Sequence, residues 1–133
     1  MKRIFPAVGL ALLLIFNAVP VTATSGPANQ KPQEVFDGMR QSFRAEKAKG
    51  VHARYQWLLS GPDGGEWWIE VNDGKYKMGR GKIPNPDVIF IASDKTWVAL
   101  SNNTISGTRA ALTGRLKVRG DRAVARKLGE IFP

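Results

Sequence analysis

Apolar and polar positions change their period along this chain, and the changes divide it into elements. Pro32 suits the first turn of a helix, and beyond it Val35, Phe36, Met39 and Phe43 recur at helical spacing. Glu34 and Asp37 fall early and Lys47 and Lys49 late, as the helix dipole favours, and Gly50 supplies the stop. The pattern predicts an amphipathic helix from Pro32 up to that glycine. The period then drops to two. Val51, Ala53, Tyr55, Trp57 and Leu59 alternate with His52, Arg54, Gln56 and Ser60, which describes a strand with one buried face.

Ser60 to Gly65 is dense in turn residues. A second strand follows, with Trp67, Ile69 and Val71 on one side and Glu66, Trp68 and Glu70 on the other. Asn72-Asp73-Gly74 makes a tight turn, because Asp-Gly tolerates the positive φ of hairpin turns. Tyr76 and Met78 mark a third strand ending near Gly79 to Gly81, which completes a meander. Ile83 to Asp87 is a loop broken by prolines. Val88 to Ala92 is apolar at every position, as expected of a strand buried on both sides.

Ser93 and Asp94 are candidate caps of a short helix carrying Trp97, Val98 and Leu100. Ser106 or Thr108 caps another through Ala110, Ala111 and Leu112, stopped by Gly114. Arg115 to Arg119 reads as a fifth strand, and Gly120-Asp121 opens a last helix with Val124, Leu128 and Ile131 on its apolar side. The fold class expected is α+β, a five-stranded, mostly antiparallel sheet covered on one face by helices.

Residues 1–23 have a different character. Lys2 and Arg3 precede an apolar stretch from Ile4 to Phe16, Pro20 breaks it, and Val21-Thr22-Ala23 offers small residues to a signal peptidase. A spanning helix needs about 20 apolar residues, more than this stretch holds, so it reads as a cleaved export signal. Thr24 to Lys31 is small, polar and turn-rich, a flexible linker leading into one domain from 32 to 133. The expected location is outside the cytoplasm, periplasmic or secreted.

Composition narrows the chemistry. There is no cysteine and one histidine, which removes disulfides, thiolate catalysis and the usual ligands of zinc. His52 lies on the polar side of the first strand with no nucleophile marked beside it, so a surface histidine is the reading. The carboxylates form no Asp-rich calcium loop, and Gly114 to Gly120 lacks the glycine spacing that cradles a dinucleotide. No cofactor, no metal and no catalytic residue are expected, and a binding protein fits better than an enzyme. The net charge is +9, with basic residues crowded between Arg109 and Lys127. Export argues against a nucleic-acid partner, whereas anionic lipid headgroups attract such a surface. Arg122, Arg126 and Lys127 are the candidate membrane contacts.

Gly65-Glu66-Trp67-Trp68-Ile69-Glu70-Val71-Asn72-Asp73-Gly74 resembles the second strand and turn of the sterol carrier protein-2 family. Asp87-Val88-Ile89-Phe90-Ile91, then Ser93-Asp94 and Trp97-Val98-Ala99-Leu100, is similar to that family's next strand and short helix. Ala110-Ala111-Leu112-Thr113-Gly114-Arg115-Leu116-Lys117-Val118-Arg119-Gly120-Asp121, followed by a closing helix, matches in order and spacing. The resemblance runs from about Val35 to Phe132. It implies a hydrophobic cavity between sheet and helices that holds a sterol, fatty acid, phospholipid or other isoprenoid-like lipid. The pool from which the lining is drawn is Phe36, Met39, Phe43, Trp57, Trp67, Ile69, Val71, Phe90, Trp97, Leu100, Leu112, Leu116 and Leu128. The alternative is an exported accessory module of a lipid or quinone system, whose partner is an unidentified protein and which carries nothing itself.

Overall fold

The structure is a computed structural model that describes residues 30–133. Residues 1–23, read above as an export signal, and the linker residues before 30 lie outside the described residues. Helix α1 (Pro32–Ser42) starts where proline's missing N–H costs nothing, and the Glu34 carboxylate accepts the Lys31 N–H at 2.7 Å. The helix expected to run on towards Gly50 breaks instead. Phe43 and Arg44 are extended, and a short helix α2 (Ala45–Ala48) follows. The break turns Phe43 towards Tyr76 and Phe132, at ring distances of 4.5 and 5.3 Å, and frees the Arg44 N–H to bond the Ile131 carbonyl at 2.8 Å.

Strands β1 (His52–Ser60), β2 (Gly65–Asn72) and β3 (Lys75–Arg80) form the expected antiparallel meander. Asp73 and Gly74 both take positive φ between Asn72 and Lys75, the conformation a two-residue hairpin turn requires. Strand β4 (Val88–Ser93) then pairs with β1 in parallel, and β5 (Leu116–Gly120) pairs antiparallel with β4. The sheet order is β3-β2-β1-β4-β5. The connection from β3 must therefore cross β2 and β1 before β4 begins.

Helices α3 (Asp94–Ser101), α4 (Gly107–Leu112) and α5 (Arg122–Ile131) complete the domain. Each has a side-chain cap. The Ser93 hydroxyl accepts from the Thr96 N–H, the Ser106 hydroxyl from the Arg109 N–H, and the Asp121 carboxylate from the N–H groups of Ala123 and Val124. Gly120 ends β5 with a φ of +100°, and a Cβ there would lie 2.1 Å from the Asp87 carbonyl oxygen. Only glycine lets the chain pass that close.

Residues facing the helices along β1, β2 and β4 are buried in strict alternation. On β4 the other side is not covered. Ile89 and Ile91 stay half-exposed, which corrects the expectation of burial on both sides. That expectation read an all-apolar run as a strand sandwiched between layers, but here helices cover one face only.

Crossing residues 81–87 are held on the uncovered side by two β1 side chains. The Gln56 amide donates to the carbonyls of Trp67 and Gly81, each at 2.9 Å, and its oxygen accepts the Ile83 N–H at 2.8 Å. The Arg54 guanidinium reaches the Pro84 carbonyl and Glu70, at 3.0 and 3.1 Å. Its backbone N–H meets Asp87 at 2.8 Å. Gln56 is thus buried although alternation put it on the polar face.

Candidate functional site

Large rings fill the space between sheet and helices. β1 contributes Tyr55 and Trp57, β2 Trp67, β4 Phe90, α1 Phe36 and α3 Trp97, and all six are buried. Phe36 lies across the middle. Its ring stands edge-on to Trp57 at 5.1 Å and stacks on Trp67 at 5.1 Å and Trp97 at 5.7 Å. Trp57 also stacks on Phe90 at 5.1 Å and touches Trp97 at 5.4 Å. Ring pairs of this geometry add about 0.5–1.5 kcal/mol each beyond their buried area. A smaller cluster of Phe43, Tyr76 and Phe132 closes the far end.

Of the residues expected from sequence, Phe36, Trp57, Trp67, Ile69, Val71, Phe90, Trp97, Leu116 and Leu128 come together in one buried core. Met39, Phe43 and Leu100 are partly buried against it. Leu112 does not join them. It is 82% exposed, because Ala110 turns inward from α4 and a residue two positions later faces the opposite way. Val35, Tyr55, Ala110, Ile131 and Phe132 belong to the core and stood outside the expected lining. The alternation on β1 marks Tyr55, whereas Phe132 follows the last helix and carries no periodic signal.

Polar groups in this core differ in how they are satisfied. The Tyr55 hydroxyl donates to the Val124 carbonyl of α5 at 2.8 Å. Burial, with a smaller contribution from the negative charge of Asp87, pushes its pKa up to about 12. The Trp67 indole N–H donates to the Gln33 side-chain oxygen at 3.0 Å, and the Arg80 guanidinium sits 4.1 Å over the same ring. The indole N–H groups of Trp57 and Trp97 have no hydrogen-bond partner among the described residues.

The uncovered face carries an open groove of about 770 Å³ at the Ser60–Ser93 end of the sheet, lined by Leu58, Glu66, Ile91, Arg115 and Lys117 among others. A second, polar groove of about 350 Å³ lies near His52, Arg54, Glu70 and Asp87. Among the described residues, no three His, Cys, Asp or Glu side chains gather closely enough to hold a metal ion. No helix among them is long and apolar enough to cross a membrane. Arg122 and Arg126 are exposed on α5, and the Lys127 ammonium is 3.4 Å from Glu130.

Residues 34–133 match the model of the SCP-2 sterol transfer family. Hydroxysteroid dehydrogenase-like protein 2 of Xenopus laevis is 29% identical over 101 residues, covering 75% of this chain and 24% of that protein. This chain thus spans about a quarter of that relative's length. Among solved structures, sterol carrier protein 2 of Yarrowia lipolytica in its apo form superposes with a TM-score of 0.60 at 24% identity, over 74% of this chain and 89% of that one. The stereoselective inverting sec-alkylsulfatase Pisa1 of Pseudomonas sp. gives 0.66 at 22% identity, over 86% of this chain but 18% of its own. The ubiquinone synthesis protein UbiJ-SCP2 gives 0.55 at 13% identity, over 77% and 97%. At these identities the structural likeness shows a shared fold.

Proposed function

The chain belongs to the SCP-2 sterol transfer family, and from that premise we propose that its folded domain holds one lipid against the ring-bearing face of the sheet, without performing chemistry on it. The observation that carries this reading is the interior itself, where six rings from three strands and two helices meet with few directional bonds among them. Contacts of that kind exchange readily for contacts with an alkyl chain or a ring system. A lipid tail gains about 0.8 kcal/mol per methylene on leaving water for an apolar site. It loses a similar amount on leaving a bilayer, so the net change is small and transfer runs in both directions. The ligand class is a sterol, fatty acid, phospholipid or isoprenoid-like lipid, and the site of action is outside the cytoplasm, as the sequence of residues 1–23 suggests.

Mass spectrometry of the protein purified under native conditions tests the reading. A lipid at near one-to-one stoichiometry is the expected result, and a lipid-free protein that also fails to take lipid from vesicles overturns it. Loading from an anionic membrane would use the basic side of α5, since nearby basic residues contribute roughly 1 kcal/mol each. Replacing Arg122, Arg126 and Lys127 by Glu should release the protein from phosphatidylserine vesicles, and unchanged binding would rule that surface out.

A second reading draws on the likeness to UbiJ-SCP2. In that reading the domain is an accessory part of a lipid or quinone system and its partner is a protein. A lipid-free protein that co-purifies with one defined partner would favour it.

A further inference from the structure

Three indoles are buried between sheet and helices, and they are not equivalent. Trp67 donates its N–H to Gln33. Trp57 and Trp97 are 0% and 9% exposed, and neither N–H has a partner among the described residues. The two rings touch each other at 5.4 Å, and both touch Phe36 and Phe90. Both unmet donors therefore sit within one ring cluster.

An indole nitrogen can only donate. Leaving such a donor buried and unpaired is costly, and a phenylalanine would fill much of the same space without that cost. Two unmet donors on neighbouring rings, in an interior whose other described polar groups are satisfied, mark a place suited to an acceptor. Gln56, Asp94 and Thr96 are the buried polar residues among those described, and each has partners of its own. Among the described residues, no lysine or arginine is buried with the rings. A carboxylate or phosphate placed there would be an unpaired buried charge, which is far more costly than a neutral oxygen.

We infer that Trp57 and Trp97 form a polar subsite that receives a neutral oxygen acceptor, a hydroxyl or a carbonyl, on an otherwise apolar ligand. The inference rests on the lipid-holding reading above and narrows it. The ligand class becomes lipid alcohols and neutral carbonyl lipids, with the oxygen bonded to the indoles and the hydrocarbon lying along the rings.

The test uses the full chain and three probes supplied from phosphatidylcholine vesicles, n-dodecane, 1-dodecanol and dodecanoate, against the wild type and W57F/W97F. The affinity ratio of dodecanol to dodecane should fall about threefold to tenfold in the double variant, the worth of a net hydrogen bond, and taking the ratio cancels any loss of ring contact common to both probes. In the wild type the indole N–H resonances of Trp57 and Trp97 should move downfield with dodecanol and not with dodecane, and that of Trp67 should stay in place. These spectra keep the test decisive should the double variant fold poorly. An unchanged ratio in a folded variant, or indole resonances equally indifferent to both probes, overturns the subsite. So does tighter binding of dodecanoate than of dodecanol, which would require a buried cation. Binding of dodecane and dodecanol alike leaves lipid holding intact and removes only the subsite. Failure of all three probes removes both.

Discussion

Towards the helices, β1 presents Ala53, Tyr55, Trp57 and Leu59; one residue along, on the opposite side, it presents Arg54, Gln56 and Leu58. The first set is held by area and ring contact, with the Tyr55 hydroxyl as its directional anchor. The second is held by named bonds from Gln56 and Arg54 to the crossing residues 81–87. The two faces therefore respond to disturbance in different ways. Ring contacts are shallow and interchangeable, so an apolar guest can replace one neighbour by another at little cost. The Gln56 bonds have fixed partners, and losing one leaves backbone groups unpaired. The ring-bearing face is suited to admitting something, and the opposite face to staying as it is.

The largest effect should come from breaking the ring-bearing side. Trp57→Ala removes the ring shared by Phe36, Phe90 and Trp97 and should cost about 3–5 kcal/mol, read as a lower urea midpoint. On the other face, Gln56→Leu keeps the approximate volume but removes the acceptor of the Ile83 N–H and a donor to the Trp67 and Gly81 carbonyls. It should cost about 1–3 kcal/mol and raise hydrogen exchange at Ile83 specifically. If exchange there stays slow, the crossing is not held by Gln56.

A smaller effect separates the faces by pH. The folded Tyr55 phenol has its pKa pushed up to about 12 from the ordinary value of 10.0, so the unfolded chain loses this proton first. The Tyr55 contribution is then complete below pH 10 and declines as pH rises from 10 towards 12. By pH 11 the loss should be about 1 kcal/mol, and Tyr55→Phe should flatten that part of the alkaline profile. The smallest effect belongs to the exposed pair Lys127–Glu130. Its coupling in a double-mutant cycle should be no more than about 0.5 kcal/mol, which would show that α5 is held by Leu128 and Ile131 rather than by its surface charges.

Much of this arrangement is legible in the sequence where a local rule operates. Alternation from Ala53 to Leu59 and from Trp67 to Val71 gives the buried face of the meander. Asp73-Gly74 marks its turn, and Ser93, Ser106 and Asp121 mark three helix starts. What stayed hidden depends on partners far along the chain. No glycine or proline marks the break at Phe43, because the compensating acceptor is the carbonyl of Ile131. Gln56 occupies a polar position and is buried by a crossing loop that periodicity cannot place. Leu112 matches a family pattern, yet the phase of α4 turns it outward. Alternation brings Trp57 to the candidate site, and a three-dimensional accounting of donors is needed to set it apart from Trp67.

The late position of the closing residues has a consequence during synthesis. A chain made from its N-terminus completes β1 to β3 once Arg80 has appeared, and by then Trp57 and Trp67 are already in place. Trp97 follows later, and Ile131 and Phe132, both buried, come last. Through that interval α1, with Phe36, is at hand to cover these rings, while the cover from α3 and α5 is still missing. Self-association competes with folding most strongly in such a window, so the yield of soluble protein should depend on how fast the last fifty or so residues (an order-of-magnitude span) follow the meander at about 5–20 residues per second.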